Sequence, residues 1–586
     1  AGTNVVLQAN NDITVSSAIT ANNGSGDGGD LTLKAGRSVL VNASITTDNG
    51  DLTLTANETT SNGVVDAERD SGAAVITLAS DTTINTGTGA FTLTISAGAG
   101  KSERASGDIT LSSVTAGSLV VANNGPTSNS NIEDNGVLDI AGTSSFTTSK
   151  DGSTITLNQA NEFTGAVTLN TNGSGGDALV DNGTTALIIA ASSVGGDLTL
   201  TSGATAGITD SGNVTVEGNL VAITDANSGV INMNQLRVDE TIALTTAAGG
   251  NATVVNYAEI NFGASTVRGE LSATATAGNI TDSGLLIITN GASFTVANAQ
   301  SIILDQASTF SSTVAFVASS GNLKNVKIKD SNAFNLSALT LAKVGGAGGD
   351  LTVIAGGAVT DTGTLVIPGT TTISASGQNV TLDESSNNFG TLAITGANVA
   401  ATDTNAIILG AATVSGTYNI TAGGNITNSG RLDIEGASTF TVANGQDIIL
   451  DQSSNSFATT VTMKAGNGSN ATFGNITLHD NSAVRFNSSA ASPGDLYIFS
   501  SGAVGGNLSV TAAGHITQNV VLDVTGTTTL AAGSSNITLD NASNNFGTLG
   551  VTGATVSVRD EDAIVLGAST VTNYTVTAGG AVTNNG

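Results

Sequence analysis

The sequence predicts an all-β protein whose chain winds into a right-handed parallel β-helix, or β-solenoid, and forms an elongated rod. Three observations predict this fold: a composition that favours short strands, tetrads that recur along the chain, and strict alternation of apolar and polar residues inside the recurring stretches. The chain has 586 residues, more than one compact core usually organises, so several domains or one extended repeat are the options.

The composition favours strands joined by turns. Charged residues make up only 11% of the chain, against roughly 25% in ordinary globular proteins, while 39% of the residues are hydrophobic. Disorder is therefore not expected, because it needs low hydrophobicity with high charge. Thr, Val, Ile, Ser and Asn are abundant, 74 residues are Gly, and strong helix formers such as Glu, Lys and Met are scarce.

The recurring tetrads indicate how the strands stack. The sequence DLTL at 30–33 returns at 51–54, a spacing of 21 residues (51 − 30). Because side chains alternate along a strand, Leu31 and Leu33 share one face. If three short strands make one turn of about 21 residues, Leu31 lies over Leu52 and the strands pair in parallel from turn to turn. The rule for parallel crossovers then predicts a right-handed coil.

Longer repeats divide the chain into three parts of one continuous solenoid. Residues 1–130 are predicted to be turns with charged loop insertions, and residues 131–277 are degenerate repeats. Residues 278–586 contain alternating short and long modules with a higher repeat of 157 residues (514 − 357). The last module stops at Gly586, so we expect the chain to be part of a longer protein. The tetrad Gly-Asp/Asn-Ile/Leu-Thr/Ser begins at Gly29, Gly50, Gly107, Gly196, Gly278, Gly349, Gly424 and Gly506.

A phenylalanine recurs at one position of the module. We predict that this side chain fills a wide interior corner of the coil, and stacking against a sugar is the alternative. The residues concerned are Phe163, Phe310, Phe389, Phe457 and Phe546.

The charge balance limits the partners. With 16 Lys and Arg against 46 Asp and Glu, the formal net charge is −30, which repels nucleic-acid phosphates and anionic lipids. We therefore expect no nucleic-acid partner. No apolar run approaches the ~18 residues that cross a bilayer, so no membrane-spanning segment is expected. The absence of Cys excludes disulfides and thiolate metal sites.

Few residues suggest catalysis. The two histidines, His479 and His515, are far apart in sequence, and His515 occupies the place of Asn279 and Asn425 in the tetrad, which indicates a turn substitute. No catalytic residue and no cofactor is predicted. Three charged clusters are interpreted as loops or solvated turns: Asp66, Glu68, Arg69 and Asp70; Lys101, Glu103, Arg104 and Asp108; and Arg559, Asp560, Glu561 and Asp562. The mixed signs of the first two clusters allow ion pairs between neighbouring turns, which stabilise little where they are exposed.

Acidic and Asn side chains repeated at one turn position allow two arrangements. A column of oxygen atoms could bind calcium weakly, or the side chains could satisfy one another by hydrogen bonds in a ladder. We favour the ladder, and metal ligands are not assigned to any residue. Several members begin Asn-x-Ser/Thr triplets, which strand chemistry explains without glycans: Asn279, Asn425, Asn475 and Asn536.

The repeats resemble a known family. TNVVLQANNDITVSSAIT at 3–20, GGDLTLKAGRSVLVNASITTDNGDLTLTANE at 28–58 and the modules containing NNFGTL, AIILGA and AGGNIT resemble the repeat regions of filamentous-haemagglutinin-like exoproteins. Members of this family are bacterial surface adhesins and biofilm-matrix proteins exported by two-partner secretion. The resemblance covers essentially the whole chain, but the family's secretion domain is not recognisable, and its ligands are not carried over to any residue.

The resemblance implies a function and a location. We expect a non-enzymatic extracellular adhesin or biofilm-matrix stalk at the bacterial cell surface. Its expected partners are glycans or proteins of a cell surface or matrix, other copies of itself, and an outer-membrane secretion partner. A self-assembling filament or surface layer is the alternative. A carbohydrate-active β-helix enzyme is a third hypothesis, which would need a local cluster of carboxylates with an Arg.

Overall fold

The computed structural model describes residues 2–24, 26–127, 130–465, 472–487, 495–498 and 503–586. The chain divides into two compact units. The first comprises Ala1–Ala297 with Ser308–Ser319, and the second comprises Asn298–Ala307 with Ser320–Gly586. Each unit is a stack of parallel strands, and the two together contain about 25 turns of about 22 residues. The all-β parallel solenoid predicted from the sequence is confirmed.

The strands are short, mostly of two to six residues, and one of them, Ile302–Phe310, has residues in both units. The other strands of the first unit are Val5–Ala9, Ile13–Val15, Ile19–Thr20, Leu31–Ala35, Val39–Val41, Ile45–Thr46, Leu52–Ala56, Ala74–Leu78, Thr83–Asn85, Ala90–Ile95, Ser106–Leu111, Ser113–Ala116, Ser118–Asn123, Ile132–Asp134, Leu138–Ile140, Ser144–Asp151, Ile155–Leu157, Glu162–Phe163, Val167–Asn172, Ala178–Asp181, Leu187–Ile189, Ser192–Val194, Leu198–Ser202, Ile208–Asp210, Val214–Val216, Leu220–Thr224, Ile231–Val238, Thr241–Thr246, Ala252–Asn256, Ile260–Phe262, Ser265–Val267, Leu271–Ala275, Ile280–Asp282, Leu286–Ile288, Ala292–Val296 and Val314–Ala318.

The second unit has longer strands among the short ones. Its strands are Val326–Asp330, Phe334–Leu336, Leu339–Thr340, Leu351–Ala355, Val359–Asp361, Leu365–Ser374, Val380–Leu382, Asn388–Gly396, Val399–Asp403, Ile407–Val414, Tyr418–Ala422, Ile426–Asn428, Leu432–Ile434, Ser438–Val442, Ile448–Leu450, Ser456–Phe457, Val461–Ala465, Ile476–Asp480, Val484–Phe486, Asp495–Ile498, Ala503–Val504, Leu508–Ala512, Ile516–Gln518, Asp523–Ala531, Ile537–Leu539, Asn545–Asp560, Ile564–Leu566, Thr570–Ala578 and Val582–Asn584.

The register of the strands follows the repeat of the sequence. Leu31 pairs in parallel with Leu52 and Leu33 pairs with Leu54, as the 21-residue spacing predicts. A turn from Leu198 to its partner Leu220 takes 22 residues (220 − 198). Like residues therefore lie over like residues, and the apolar positions of successive turns form continuous columns.

The number of strands in a turn differs along the chain. In the first unit a strand often pairs with the third strand after it, as Val5–Ala9 does with Leu31–Ala35. In the second unit Leu365–Ser374 pairs with Asn388–Gly396, the second strand after it, because each runs through a corner with a register shift. Two of the three strands predicted for each turn are thus joined into one, because the backbone stays extended through the corner between them.

The interior is apolar and contains the module phenylalanines. The side chains of Leu31–Ala35 alternate between buried and half-buried positions, as expected for a strand with one face in the core. All five of the predicted corner phenylalanines are buried. Phe163 packs edge-on against Phe146 with ring centroids 5.8 Å apart, and Phe457 packs in the same way on Phe440 at 6.2 Å. The prediction that these rings fill the interior is confirmed.

The glycine of the tetrad is required by a close approach between turns. A Cβ atom at Gly50 would lie 2.2 Å from the carbonyl oxygen of Gly29, and one at Gly506 would lie 2.2 Å from that of Gly474. Real Cβ atoms do not approach oxygen so closely, so the backbones would have to move apart. This explains why the tetrad begins with Gly where the chain leaves a corner.

Helix occurs, in the described ranges, only as two 3-10 turns, Thr60–Asn62 and Asp66–Glu68. Both lie between Leu52–Ala56 and Ala74–Leu78, where the spacing between paired residues rises to 39 for Leu52 and Phe91 (91 − 52). Residues 57–73 and 96–105 are therefore loops inserted into the coil, as the charged composition of this region predicts.

Candidate functional site

A column of Asn and Asp side chains, here called the turn column, recurs at the second residue of the tetrad. The Oδ1 atom of Asp30 accepts the backbone N–H of Asp51 at 3.0 Å, and Oδ1 of Asp51 accepts that of Ala90 at 2.7 Å. The other members in the first unit that accept a backbone N–H from the next turn are Asn4, Asp108, Asn131, Asp177, Asp197, Asn219 and Asn251.

The same bond recurs in the second unit. Its members are Asn325, Asp350, Asn379, Asn398, Asn425, Asp447, Asn475, Asn507 and Asn536. The column does form a ladder of hydrogen bonds, but most rungs join a side chain to a backbone N–H, whereas the prediction was that the side chains would bond to one another. The rungs also explain three of the Asn-x-Ser/Thr triplets, because Asn425, Asn475 and Asn536 are all members.

His515 takes the place of an Asn in the turn column. Its Nδ1 atom accepts the backbone N–H of Asn536 at 3.0 Å, and Oδ1 of Asn536 accepts that of Thr555 at 3.2 Å. The prediction that His515 is a turn substitute is confirmed. The second histidine, His479, lies at a half-buried position of the strand Ile476–Asp480.

A second polar arrangement lies inside the coil, at the corner before four of the five module phenylalanines. In the acid–amide corner of the module at 357, Nδ2 of Asn387 donates to Oδ2 of Asp361 at 2.6 Å, and Oδ1 of Asn387 accepts the backbone N–H of Leu365 at 2.8 Å. One turn further on, Oδ2 of Asp403 accepts the N–H of Phe389 at 2.7 Å. These side chains are buried, so they satisfy backbone groups that water cannot reach.

The acid–amide corner is repeated in other modules. Each copy has an acid or amide, an Asn two residues before the phenylalanine, and an Asp or Asn in the following turn. The copies are Asp134, Asn161 and Asn182; Asn428, Asn455 and Asp480; and Gln518, Asn544 and Asp560. This corner was not predicted from the sequence, although the Asn that recurs two residues before the phenylalanine was a visible signal.

Burial changes the acidity of the corner carboxyls. Loss of solvation raises the pKa of Asp403, although the N–H groups of Phe389 and Asn405 oppose the rise by bonding to its carboxylate. The same cause raises the pKa of Asp134, Asp361, Asp480 and Asp560. Such shifts also occur at catalytic carboxyls, but here each of these groups bonds to backbone N–H groups of the corner.

The cluster at 559–562 belongs to this corner. Asp560 is buried and accepts the N–H of Phe546 at 2.8 Å, whereas Arg559, Glu561 and Asp562 are exposed. Oδ1 of Asp560 also accepts the N–H of Asp562 at 3.0 Å, as Oδ1 of Asp403 accepts the N–H of Asn405 in the sister copy. The solvated-turn interpretation therefore holds for three residues of the cluster, whereas Asp560 is a buried member of the acid–amide corner.

The two other charged clusters meet in the inserted loops and form what we call the loop cluster. Nε of Arg69 donates to the carbonyl oxygen of Gly36 at 3.1 Å, and Nζ of Lys101 donates to the same oxygen at 2.7 Å. Arg69 and Lys101 are only 7% and 6% exposed. The sequence allowed ion pairs between neighbouring turns here, but the two buried cations bind backbone carbonyls instead.

Acidic groups surround the loop cluster at its rim. The carboxylate of Asp66 accepts the N–H and the hydroxyl of Ser102 at 2.9 and 2.7 Å, and these bonds lower the pKa of Asp66. Burial lowers the pKa of Lys101 to about 8, with a further contribution from the positive charge of Arg69. Asp108 is separate from this cluster because it belongs to the turn column.

An open groove of about 540 Å³ lies on the surface of the first unit. It is lined by Arg237, Asp239, Tyr257 and Glu259, among others. The residue Tyr257 is 49% exposed, and Nε of Arg237 donates to Oδ1 of Asp239 at 3.2 Å. An exposed aromatic face beside donors and acceptors suits stacking on a sugar ring. This groove was not predicted from the sequence, because its residues come from three successive turns.

No group of three or more His, Asp or Glu side chains is placed to hold a metal ion in the part of the chain that the structure describes. Among the described residues, no helix has the length and the apolar character that crossing a lipid bilayer requires.

The repeats match a family described as Repeats of unknown function (DUF5649). The matched segments are residues 97–170, 249–317, 323–395, 396–464, 473–552 and 553–586, which together cover more than half of the chain. No curated protein and no solved structure matches the chain significantly.

Proposed function

We propose, from the premise that this chain belongs to the DUF5649 family of repeats, that it is a non-enzymatic spacer segment of an extracellular bacterial adhesin or biofilm-matrix protein. The finer proposal is a filamentous-haemagglutinin-like exoprotein exported by two-partner secretion. The resemblance of its repeats to that family supports this assignment, and so does the all-β solenoid of each unit.

The observation that carries the proposal is the turn column. Its rungs join successive turns at many places in both units, for example from Asp30 to Asp51 and from Asn425 to Asp447. Because one kind of bond between neighbouring turns is used repeatedly, turns can be added without a new arrangement of side chains. Such a repeat is suited to extending a protein by further turns. Catalysis would not require a contact that is repeated in this way.

The composition supports export in an unfolded state. The chain has no Cys and only three Pro, so neither disulfides nor many slow prolyl isomers would delay folding. Contacts between neighbouring turns are local, and folding can proceed turn by turn as the chain emerges. The net charge of −30 keeps separate molecules apart at low salt.

Localisation and attachment test the proposal. Antibodies against the chain should label intact cells of the bacterium that makes it as strongly as permeabilised cells. Deletion of the coding region should reduce attachment to surfaces or to other cells without slowing growth. Labelling only after permeabilisation would exclude an extracellular role, and unchanged attachment would exclude an adhesive one.

The groove at Tyr257 is the surface that we propose for contact with glycans. The ring offers an apolar face, and Arg237 and Glu259 offer a donor and an acceptor next to it. Glycan-array binding of the purified chain should fall at least tenfold in Tyr257→Ala. The matched control is Leu285→Ala, which removes another exposed apolar side chain of the same unit (48% exposed) and should leave binding unchanged. Equal binding by both variants would contradict this assignment.

A further inference from the structure

A lysine and an asparagine meet in a closed part of the loop cluster. Nζ of Lys101 donates to Oδ1 of Asn57 at 2.8 Å and to the carbonyl oxygen of Gly36 at 2.7 Å. Lys101 is 6% exposed and Asn57 is 0% exposed. An amine and a carboxamide are therefore held in contact where little water can enter.

The amide of Asn57 is fixed from its other side. Its Nδ2 atom donates to the carbonyl oxygens of Ser96 at 2.8 Å and Arg104 at 3.3 Å. Gly98 covers the group so closely that a Cβ atom there would lie 2.9 Å from the side-chain amide. The carboxamide cannot turn away from Lys101 without displacing the loop at 96–105.

We propose that Lys101 and Asn57 become joined by an intramolecular isopeptide bond. The geometry places the nucleophile next to the acyl group, which gives the high effective concentration of an intramolecular reaction. Burial also favours the reactive form of the nucleophile, because it lowers the pKa of Lys101 to about 8 and so increases the fraction of neutral amine.

The reaction exchanges one amide for another. The lone pair of neutral Nζ attacks Cγ of Asn57, and a bond between Nζ and Cγ forms while the carbonyl electrons move to Oδ1. Collapse of this tetrahedral species breaks the bond between Cγ and Nδ2. One proton passes from Nζ to Nδ2, which leaves as ammonia. No oxidant, reductant or metal is needed.

Glu58 is the group that we assign to this proton transfer. It follows Asn57 in the chain, it is 3% exposed, and its negative charge acts on Lys101. Oε1 of Glu58 is held by the N–H of Thr59 at 2.8 Å and by Nδ2 of Asn62 at 2.7 Å. The carboxylate is thus held in place by bonds that do not involve the reacting amide.

The cross-link would join two loops that are 44 residues apart in sequence. Residues 57–73 and 96–105 would become one covalent insertion that cannot separate when the chain is pulled or denatured. The proposal does not depend on the adhesin assignment, since it rests only on the chemistry of the loop cluster.

Mass spectrometry of the full chain tests the proposal. The intact mass should be lower than that of the sequence by about 17 Da, which is one ammonia molecule. Trypsin cannot cleave after an acylated lysine, so residues 38–69 should appear linked to residues 70–104 in one branched peptide. A mass equal to that of the sequence, with a free peptide 70–101, would overturn the proposal.

Variants separate the reaction from a purely structural contact. Lys101→Arg keeps a positive donor but has no reactive amine, so its mass should equal its sequence. Lys34→Arg, the control at a half-buried strand position, should retain the loss of mass. Glu58→Gln should fold and form the cross-link at least tenfold more slowly; formation at the wild-type rate would contradict the role of Glu58.

Discussion

The loop cluster and the acid–amide corner solve one problem with opposite chemistry. Both must satisfy backbone polar groups that the fold removes from water. In the loop cluster the backbone group that needs a partner is the carbonyl oxygen of Gly36, and the cations Arg69 and Lys101 donate to it. In the acid–amide corner the groups are backbone N–H donors, and Asn387 and Asp403 accept from them.

The difference shows which of the two arrangements can recur along a repeat protein. Asp and Asn side chains are short, and one per turn reaches the next backbone N–H, so the corner recurs in successive modules. Arg and Lys reach across long distances in the sequence, 33 residues from Arg69 to Gly36 and 65 residues from Lys101 to Gly36. Such a cluster depends on one particular pair of loops and does not propagate.

The largest expected effect comes from breaking a corner. Asn387→Ala removes the acceptor of the Leu365 N–H and the donor to Asp361, and both groups stay buried. We expect a loss of about 3 kcal/mol in the free energy of unfolding, measured by urea denaturation followed by circular dichroism. Asn405→Ala, at an exposed position of the same module, should change stability by less than about 0.5 kcal/mol.

The corner model would be contradicted if Asn387→Ala and Asn405→Ala destabilised the protein equally. A local readout is useful because a repeat protein can unfold in parts. We therefore expect hydrogen exchange at residues 361–403 to increase first in Asn387→Ala.

The loop cluster should be less sensitive than the corner. Arg69→Met keeps the length of the side chain but removes the donors to the carbonyl oxygens of Gly36 and Gly72. We expect a loss of about 2 kcal/mol and faster proteolysis within residues 57–73. Arg104→Met removes an exposed cation of the same region and serves as the control, with little change expected; similar proteolysis of both variants would argue against the buried cation.

A smaller effect with the opposite sign is expected at a polar group that the second unit leaves unsatisfied. The ring of Tyr418 is fully buried against Phe440, and its hydroxyl has no hydrogen-bond partner. Burial also raises the pKa of this phenol. Tyr418→Phe should therefore stabilise the protein by about 1 kcal/mol, seen as a higher urea midpoint. A lower midpoint would mean that the hydroxyl is bonded in solution.

Lowering the pH should change the stability of the two regions in opposite directions. For a single carboxyl group, this is the smallest of the expected effects. The pKa of Asp403 in the corner is raised above 3.8, so its carboxylate is destabilising at neutral pH, and stability increases as the pH falls through the folded-state pKa. The Arg37 side chain lowers the pKa of Asp12, next to the loop cluster, below 3.8. Its stabilising contribution is fully present above 3.8 and is lost as the pH falls below that value and through the lower folded-state pKa.

Hydrogen exchange at pH 7, 4 and 3, corrected for the intrinsic rates, measures both effects. Protection at residues 388–403 should increase from pH 7 to about pH 4, whereas protection at residues 12–38 should fall between about pH 4 and pH 3. Asp403→Asn should remove part of the first change only. A common shift of both regions with pH would indicate that net charge, rather than these carboxyls, controls stability.

Much of the fold could be predicted because each turn repeats its neighbour. The pairing of Leu31 with Leu52 followed from one spacing, and the rung made by His515 followed from its alignment with Asn425. The buried phenylalanines followed in the same way. The candidate sites were less predictable, since Tyr257 and Arg237 meet only because one turn lies beside the next.

The sequence by itself determined the period, the parallel register and the occupants of the core, because these depend on local alternation and on identical residues one turn apart. Only the tertiary structure decided which polar groups are buried. Asp560 is buried while Asp562 is exposed, and Lys101 lies on Asn57 rather than in water. Burial depends on the path of the backbone around each corner and loop, and residue type alone does not specify that path.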